Sequence, residues 1–120
     1  DEVRARQRIA ARYDAALGDA VATPSVLPGT TSTYAQYTVV LPGAASREAV
    51  RAALAAEGVP TQVYYPKPLH RQTAYRAFPA PGSLAVSETL SGRVLSLPMH
   101  AYLSQDDQDR VTSALRRALA

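Results

Sequence analysis

The residue types with the greatest potential for chemistry are concentrated in segment 63–72, whose sequence is VYYPKPLHRQ. The candidates for a functional site in it are Tyr64, Tyr65, Lys67, His70 and Gln72. The two prolines in this segment restrict φ and remove backbone donors, which predicts a rigid polar and aromatic loop at the end of a strand. The alternative is structural: the tyrosines pack in and around the core, and the histidine begins a helix.

A second segment, 95–102 with the sequence LSLPMHAY, repeats the order of strand, proline, histidine and tyrosine. Its candidate is His100, although a lone histidine is more often structural than catalytic. Two weaker candidates, Gln36 and Tyr37, lie in the middle of a predicted strand. By itself Tyr37 is typical of a core residue.

Several classes of catalytic and metal site are excluded or disfavoured. The sequence has no G-x-S-x-G, no phosphate-binding glycine loop and no H-E-x-x-H. It has no cysteine and only two histidines, which are thirty residues apart, so we expect no metal site. Lys67, the only lysine, would need a desolvated pocket and a phosphate cradle to form a Schiff base, and no glycine-rich helix N-terminus supplies one. The aspartates at 106, 107 and 109 indicate a solvated first turn of a helix.

Composition places the chain among globular proteins. Its 120 residues fit one domain, with 47% hydrophobic and 19% charged residues. The net charge is +3, but the basic residues are scattered, so we expect no nucleic-acid partner. No apolar run approaches the roughly 20 residues that a membrane span needs, and we expect a cytoplasmic protein without membrane contact.

The elements that must position the candidate residues follow from periodicity and from helix and turn signals. Helices are predicted over 1–17 and after the capping residues Ser46, Ser87 and Ser104, with a further short helix over 71–77. Strands are predicted over 34–41, 61–65 and 94–97. The tract 23–33 is predicted to be loop with a short extended piece at 25–27, and Pro79 to Gly82 to be irregular.

These elements give the order α-β-α-β-α-α-β-α. The fold class is α+β, with a small, mostly antiparallel or mixed sheet of about three strands and helices packed on it. The chain starts at Asp1 without methionine, directly in a predicted helix. We therefore expect it to be part of a longer protein.

Five groups of residues occur in an order and spacing that resemble a known family. They are Tyr34-Ala35-Gln36-Tyr37-Thr38-Val39, Gly58-Val59-Pro60-Thr61, Tyr64-Tyr65-Pro66-Lys67-Pro68-Leu69-His70-Arg71-Gln72-Thr73-Ala74-Tyr75, Ser87-Glu88 and Leu95-Ser96-Leu97-Pro98-Met99-His100. Over roughly residues 1–115 the chain resembles the C-terminal small domain of the DegT/DnrJ/StrS-type sugar aminotransferases, which are pyridoxal phosphate (PLP) enzymes with the aspartate-aminotransferase fold. Arg71 stands where the family often has an aliphatic residue, and Ala101 replaces a frequent proline.

The resemblance implies transfer of an amino group from an amino acid, commonly glutamate, to the keto group of a nucleotide-linked sugar. It implies that the Schiff-base lysine, the aspartate on the pyridine nitrogen and most phosphate ligands belong to a large N-terminal domain. Residues 1–18 would then be the end of the interdomain helix and 19–120 the α+β body. No catalytic residue is expected in this chain, which alone would be inactive and bind PLP weakly or not at all. The family is typically dimeric, so a homodimer is expected.

Carried over residue by residue, the resemblance implies that Tyr64, Tyr65, His70 and Gln72 bind the nucleotide-sugar substrate. Their hydroxyl, imidazole and amide groups suit sugar hydroxyls and a diphosphate. Tyr37, Gln36, Lys67 and His100 are weaker candidates for the same role.

Two other interpretations remain open. The chain could be a stand-alone α+β binding or regulatory module without catalysis, or a family member that has become a transcriptional or sensory protein. Exposed apolar surface discriminates the stand-alone module from a domain that docks onto another, because only the docking domain should have an uncovered apolar face.

Overall fold

A computed structural model describes residues 1–43, 45–79 and 82–120. Within them the chain forms four α-helices and two β-strands. In chain order these are α1 (Glu2–Leu17), β1 (Tyr37–Val40), α2 (Arg47–Ala56), α3 (Ala85–Arg93), β2 (Val94–Leu97) and α4 (Gln105–Leu119). A 3-10 turn, Leu69–Arg71, lies between α2 and α3. Of the predicted irregular stretch 79–82, Ala80 and Pro81 are outside the described residues.

Three helices begin where the sequence places an N-capping side chain. Asp1 accepts a hydrogen bond from the backbone N–H of Val3 at 3.2 Å. Ser46 caps α2, and the Ser104 hydroxyl accepts the backbone N–H of Asp107 at 3.1 Å at the start of α4. Each cap satisfies a backbone donor that has no partner inside its helix, so the predicted starts of α1, α2 and α4 are confirmed.

The sheet consists of β1 and β2 paired antiparallel, with Tyr37 opposite Leu97 and Val40 opposite Val94. A single bridge joins Ala22 to Val40 on the outer side of β1. The predicted first strand, 34–41, is longer than the observed one because β2 is only four residues long. Strand β2 lies between the end of α3 and Pro98.

The third strand expected over 61–65 is not confirmed, because this segment makes one bridge only. Gln62 and Ser96 exchange backbone hydrogen bonds of 3.1 and 2.8 Å. The next hydrogen-bonded pairs of an antiparallel ladder would be 60 with 98 and 64 with 94. Positions 60 and 98 are both proline, and the N–H of Val94 already bonds the Leu90 carbonyl at the end of α3. The ladder therefore stops on both sides of the bridge.

The core lies between the sheet and the helices α1, α2 and α4, and α4 packs on both other helices. The largest side chains that are fully buried are Tyr13, Tyr37, Leu17, Leu41, Leu54, Leu95, Leu115 and Val39. The predicted helical stripe of Ile9, Tyr13 and Leu17 is buried as expected, and the alternation along β1 places Tyr37 and Val39 on the core face.

The segment between α2 and α3 is less regular than predicted. The helix expected over 71–77 is absent, because Gln72 adopts an extended conformation that ends the 3-10 turn, and further turns follow to Phe78. Helix α3 begins at Ala85, two residues before the expected cap Ser87. No buried side chain belongs to the 3-10 turn or to α3, so this part of the molecule covers little of the core.

Candidate functional site

A cleft of about 580 Å³ lies between the proline-rich segment, the turns that follow it and α3. Four of the sequence-predicted site residues line it: Tyr64, Tyr65, Lys67 and His70. The polar groups are carried by an irregular segment whose backbone is restricted by Pro66 and Pro68. The structure thus brings together the four candidates that are closest in sequence.

The rest of the cleft is aromatic and aliphatic. The rings of Tyr64 and Tyr65 meet edge to face with centroids 5.8 Å apart, and those of Tyr75 and Phe78 are 6.5 Å apart. Tyr65 and Phe78 are 71% and 69% exposed, which is unusual for such large apolar surfaces in a monomer. Aromatic walls with a lysine and a histidine suit a ligand that combines a flat or apolar part with anionic or hydroxyl groups.

His70 is fixed by a contact with α3. Its Nε2 lies 2.9 Å from Glu88 Oε1, and the guanidinium of Arg71 donates to the same oxygen from Nε at 3.0 Å and Nη2 at 2.7 Å. The hydrogen bond from His70, followed by that from Arg71, lowers the pKa of the Glu88 carboxyl below its ordinary value. Sequence reasoning did not assign Glu88 to the site. The available signal was its place, next to Ser87, among the groups that carry the family resemblance.

Two further candidates are adjacent to the cleft. The Gln72 amide donates to the Lys67 carbonyl at 3.1 Å, which closes the loop that carries the cleft residues. Gln36 lines a smaller cleft of about 230 Å³ together with Gln62 and Tyr64. Tyr64 therefore lines both clefts, and it is the residue that the smaller cleft, with Gln36, shares with the larger one.

Tyr37 and His100 are not brought to either cleft. Tyr37 is fully buried, and its hydroxyl donates to Asp14 Oδ1 at 2.5 Å. Burial, followed by this hydrogen bond to a carboxylate, raises its pKa. Tyr37 is therefore part of the core, as its residue type and place in the strand predict. His100 is exposed in the loop after β2, where its carbonyl accepts the Leu103 N–H.

The residues of this chain do not by themselves fit PLP. A Schiff-base lysine has to be desolvated to be nucleophilic near neutral pH, whereas Lys67 is exposed at the cleft. Within ranges 1–43, 45–79 and 82–120 no group of three or more His, Asp or Glu side chains could hold a metal ion. No helix in the same ranges has the length and apolar character that crossing a bilayer requires.

Two comparisons with proteins of known sequence point to one family. The family model described as the DegT/DnrJ/EryC1/StrS aminotransferase family matches residues 1–116. The UDP-2-acetamido-2-deoxy-3-oxo-D-glucuronate aminotransferase of Pseudomonas aeruginosa is 40% identical over 116 residues. That match covers 96% of this chain and 31% of that protein, so the chain spans about a third of the relative's length.

Solved structures agree with the sequence relatives. A DegT DnrJ EryC1 StrS aminotransferase from Brucella abortus is similar over 100% of this chain and 32% of its own, with a TM-score of 0.91 and 48% identity. DesV from S. venezuelae, solved in complex with a ketimine intermediate, has a TM-score of 0.87 and 31% identity and is covered to 31%. The chain belongs to the DegT/DnrJ/EryC1/StrS aminotransferase family.

Proposed function

We propose that this chain is the C-terminal small domain of a PLP-dependent sugar aminotransferase and covers the substrate in the parent enzyme. The observation that carries the proposal is the cleft lined by Tyr64, Tyr65, Lys67 and His70, surrounded by exposed apolar side chains. Leu69 is 67% and Tyr75 49% exposed beside the two aromatic residues already described. An apolar face of this kind favours a domain that docks onto another over a stand-alone module.

In this proposal the cleft residues contact a nucleotide-linked keto sugar. The tyrosine hydroxyls and the His70 imidazole hydrogen-bond its hydroxyls and diphosphate, and Lys67 adds a positive charge beside the phosphates. Gln72 acts through the loop that it closes, and Gln36 contributes from the smaller cleft through Tyr64.

The remaining chemistry is assigned to parts of the parent outside this chain. PLP, when bound, accepts the amino group of the donor amino acid, which we propose to be glutamate. We propose that the large domain supplies the Schiff-base lysine, as the family resemblance implies, and that the exposed Lys67 is not that lysine. We further propose that the parent is a homodimer and that the 120-residue chain alone has no transaminase activity.

The first test is the reaction of the 120-residue chain with excess PLP, followed by borohydride reduction. We expect no aldimine absorbance between roughly 330 and 430 nm and no stoichiometric adduct at Lys67 by mass spectrometry. Lys67→Arg is the matched control, because it keeps the charge and removes the imine-forming amine. A stoichiometric adduct that disappears in Lys67→Arg would contradict the proposal that the cofactor lysine lies in another domain.

The second test is transamination by the parent protein loaded with PLP, with glutamate as donor. A UDP-linked 3-keto sugar is the first acceptor to try, because the relative that is 40% identical carries such a substrate in its name. We expect amino-sugar product from the parent, and a higher KM for the sugar nucleotide in Tyr65→Ala. Absence of transamination with all keto-sugar nucleotides would leave the stand-alone module as the better account.

A further inference from the structure

Glu88 is the one acidic residue that contacts the ring of a cleft histidine within the described ranges. It lies in α3, eighteen residues from His70, so the contact joins two separate elements. One oxygen, Oε1, receives hydrogen bonds from the His70 ring and from both Nε and Nη2 of Arg71. The second carboxylate oxygen takes no part in these bonds.

The chemistry of the carboxylate decides which ring nitrogen of His70 carries a proton. An ionised carboxylate can only accept hydrogen bonds, so the nitrogen that faces it must donate. Nε2 therefore bears a hydrogen in both the neutral and the charged ring. Nδ1 is left as the ring nitrogen available to a ligand, and in the neutral ring it is an acceptor for a hydroxyl.

Arg71 holds the carboxylate in place for this task. The side chains of Arg71 and Glu88 are 62% and 41% exposed, whereas that of His70 is only 17% exposed. Both guanidinium nitrogens donate to Oε1, so Arg71 adds two charge-assisted hydrogen bonds at the oxygen that the His70 ring contacts. Because Arg71 follows His70 in the chain, the same contact also fixes the 3-10 turn against α3.

We propose that Glu88 is a positioning residue that holds the His70 ring with Nε2–H bound and Nδ1 directed to the substrate, and that Arg71 steadies Glu88. This inference rests on the proposed function for the identity of the substrate. The hydrogen bond itself can be tested without any activity.

The direct test is NMR of the 120-residue chain with ¹⁵N-labelled histidine, at a pH high enough for the ring to be neutral. We expect a persistent Nε2–H proton signal for His70 in the unchanged chain, faster exchange of that proton with water in Arg71→Leu, and loss of the signal in Glu88→Ala. An exchange rate that Arg71→Leu leaves unchanged would overturn the role of Arg71. Glu48→Ala is the matched control, because it removes an exposed helix glutamate that also contacts two arginines. A protonated Nδ1 in the unchanged chain, or a signal unaffected by Glu88→Ala, would overturn the inference.

The second test uses the PLP-loaded parent enzyme. We expect Glu88→Ala to raise KM for the sugar nucleotide about tenfold, the effect of roughly one hydrogen bond, with kcat nearly unchanged. In Glu88→Gln the KM should stay close to that of the unchanged enzyme, because the glutamine amide oxygen still accepts the hydrogen bond from Nε2–H. An unchanged KM in Glu88→Ala would overturn the positioning role while the proposed function stands. An inactive parent would refute the proposed function, and the NMR result would then decide the positioning of His70 alone.

Discussion

Replacing Tyr37 by phenylalanine separates its structural role from the substrate contact that the family resemblance implies. The substitution removes only the hydroxyl, which donates at 2.5 Å to Oδ1 of Asp14, a half-buried residue at the edge of the core. The ring stays, with its centroid 4.9 Å from that of Tyr13. The change therefore deletes one hydrogen bond to a charged group and leaves Asp14 without this donor.

The expected loss follows from the type of bond. A hydrogen bond to a charged group contributes about 1.5–3 kcal/mol to the free energy of unfolding. For 120 residues the entropy of unfolding near the midpoint is about 0.25 kcal/mol per kelvin, so Tm should fall by about 6–12 °C. Tyr13→Phe removes a bond to the neutral Pro98 carbonyl at 2.9 Å and should cost less, about 1 kcal/mol.

Tyr102→Phe is the matched control, because the Tyr102 hydroxyl also bonds a carboxylate, Glu2 Oε1, at 2.6 Å, but on the surface. Tyr102 is 79% exposed, so we expect no measurable change in stability. The assay is urea and thermal unfolding of the 120-residue chain, with KM for the sugar nucleotide measured in the parent. Equal losses in Tyr37→Phe and Tyr102→Phe would refute the argument from burial. A raised KM for the sugar nucleotide in Tyr37→Phe would support a contact between the Tyr37 hydroxyl and the substrate.

Two further predictions concern Glu88 and the core. The pKa of Glu88 is lowered in the folded chain, so its contribution to stability is present above the ordinary value of 4.5 and is lost as the pH falls through the folded pKa. Arg71→Leu should raise the Glu88 pKa part of the way back, as measured by carboxyl ¹³C titration, and an unchanged titration would contradict the role of Arg71. Leu95→Ala, at a position with 0% exposure, should cost about 2–5 kcal/mol by urea unfolding. Leu69→Ala, at 67% exposure, should change stability by less than about 0.5 kcal/mol, and similar losses in both would contradict the assigned core.

The helices that form the core were predictable because each carries a local start signal and an apolar stripe. In α4, Ser104 caps the first turn while Val111 and Leu115 are buried one helical turn apart. Both features lie within a few residues of each other, so the information needed is local. The short helix expected over 71–77 has no such stripe, and the structure shows turns there.

The third strand was not predictable from the 61–65 segment alone. Its β-branched and aromatic residues favour a strand, and Gln62 does bridge to Ser96. Whether the ladder continues depends on β2 and the residue after it. Pro98 has no N–H, and the N–H of Val94 already bonds the Leu90 carbonyl of α3. Strand propensity is a property of one segment, whereas a ladder needs backbone N–H groups that are free to bond on both paired segments.

The site shows the same division between local and long-range information. Tyr64, Tyr65, Lys67 and His70 were predicted together because they are neighbours in the sequence, and they line one cleft. Glu88 joins them only through tertiary structure. Arg71 stands where the family often has an aliphatic residue, but the residue type alone does not indicate which acid it contacts. In the structure Arg71 and the neighbouring His70 both contact the same oxygen of Glu88, so it is the packing of the 3-10 turn against α3 that gives position 71 and the site histidine a shared partner.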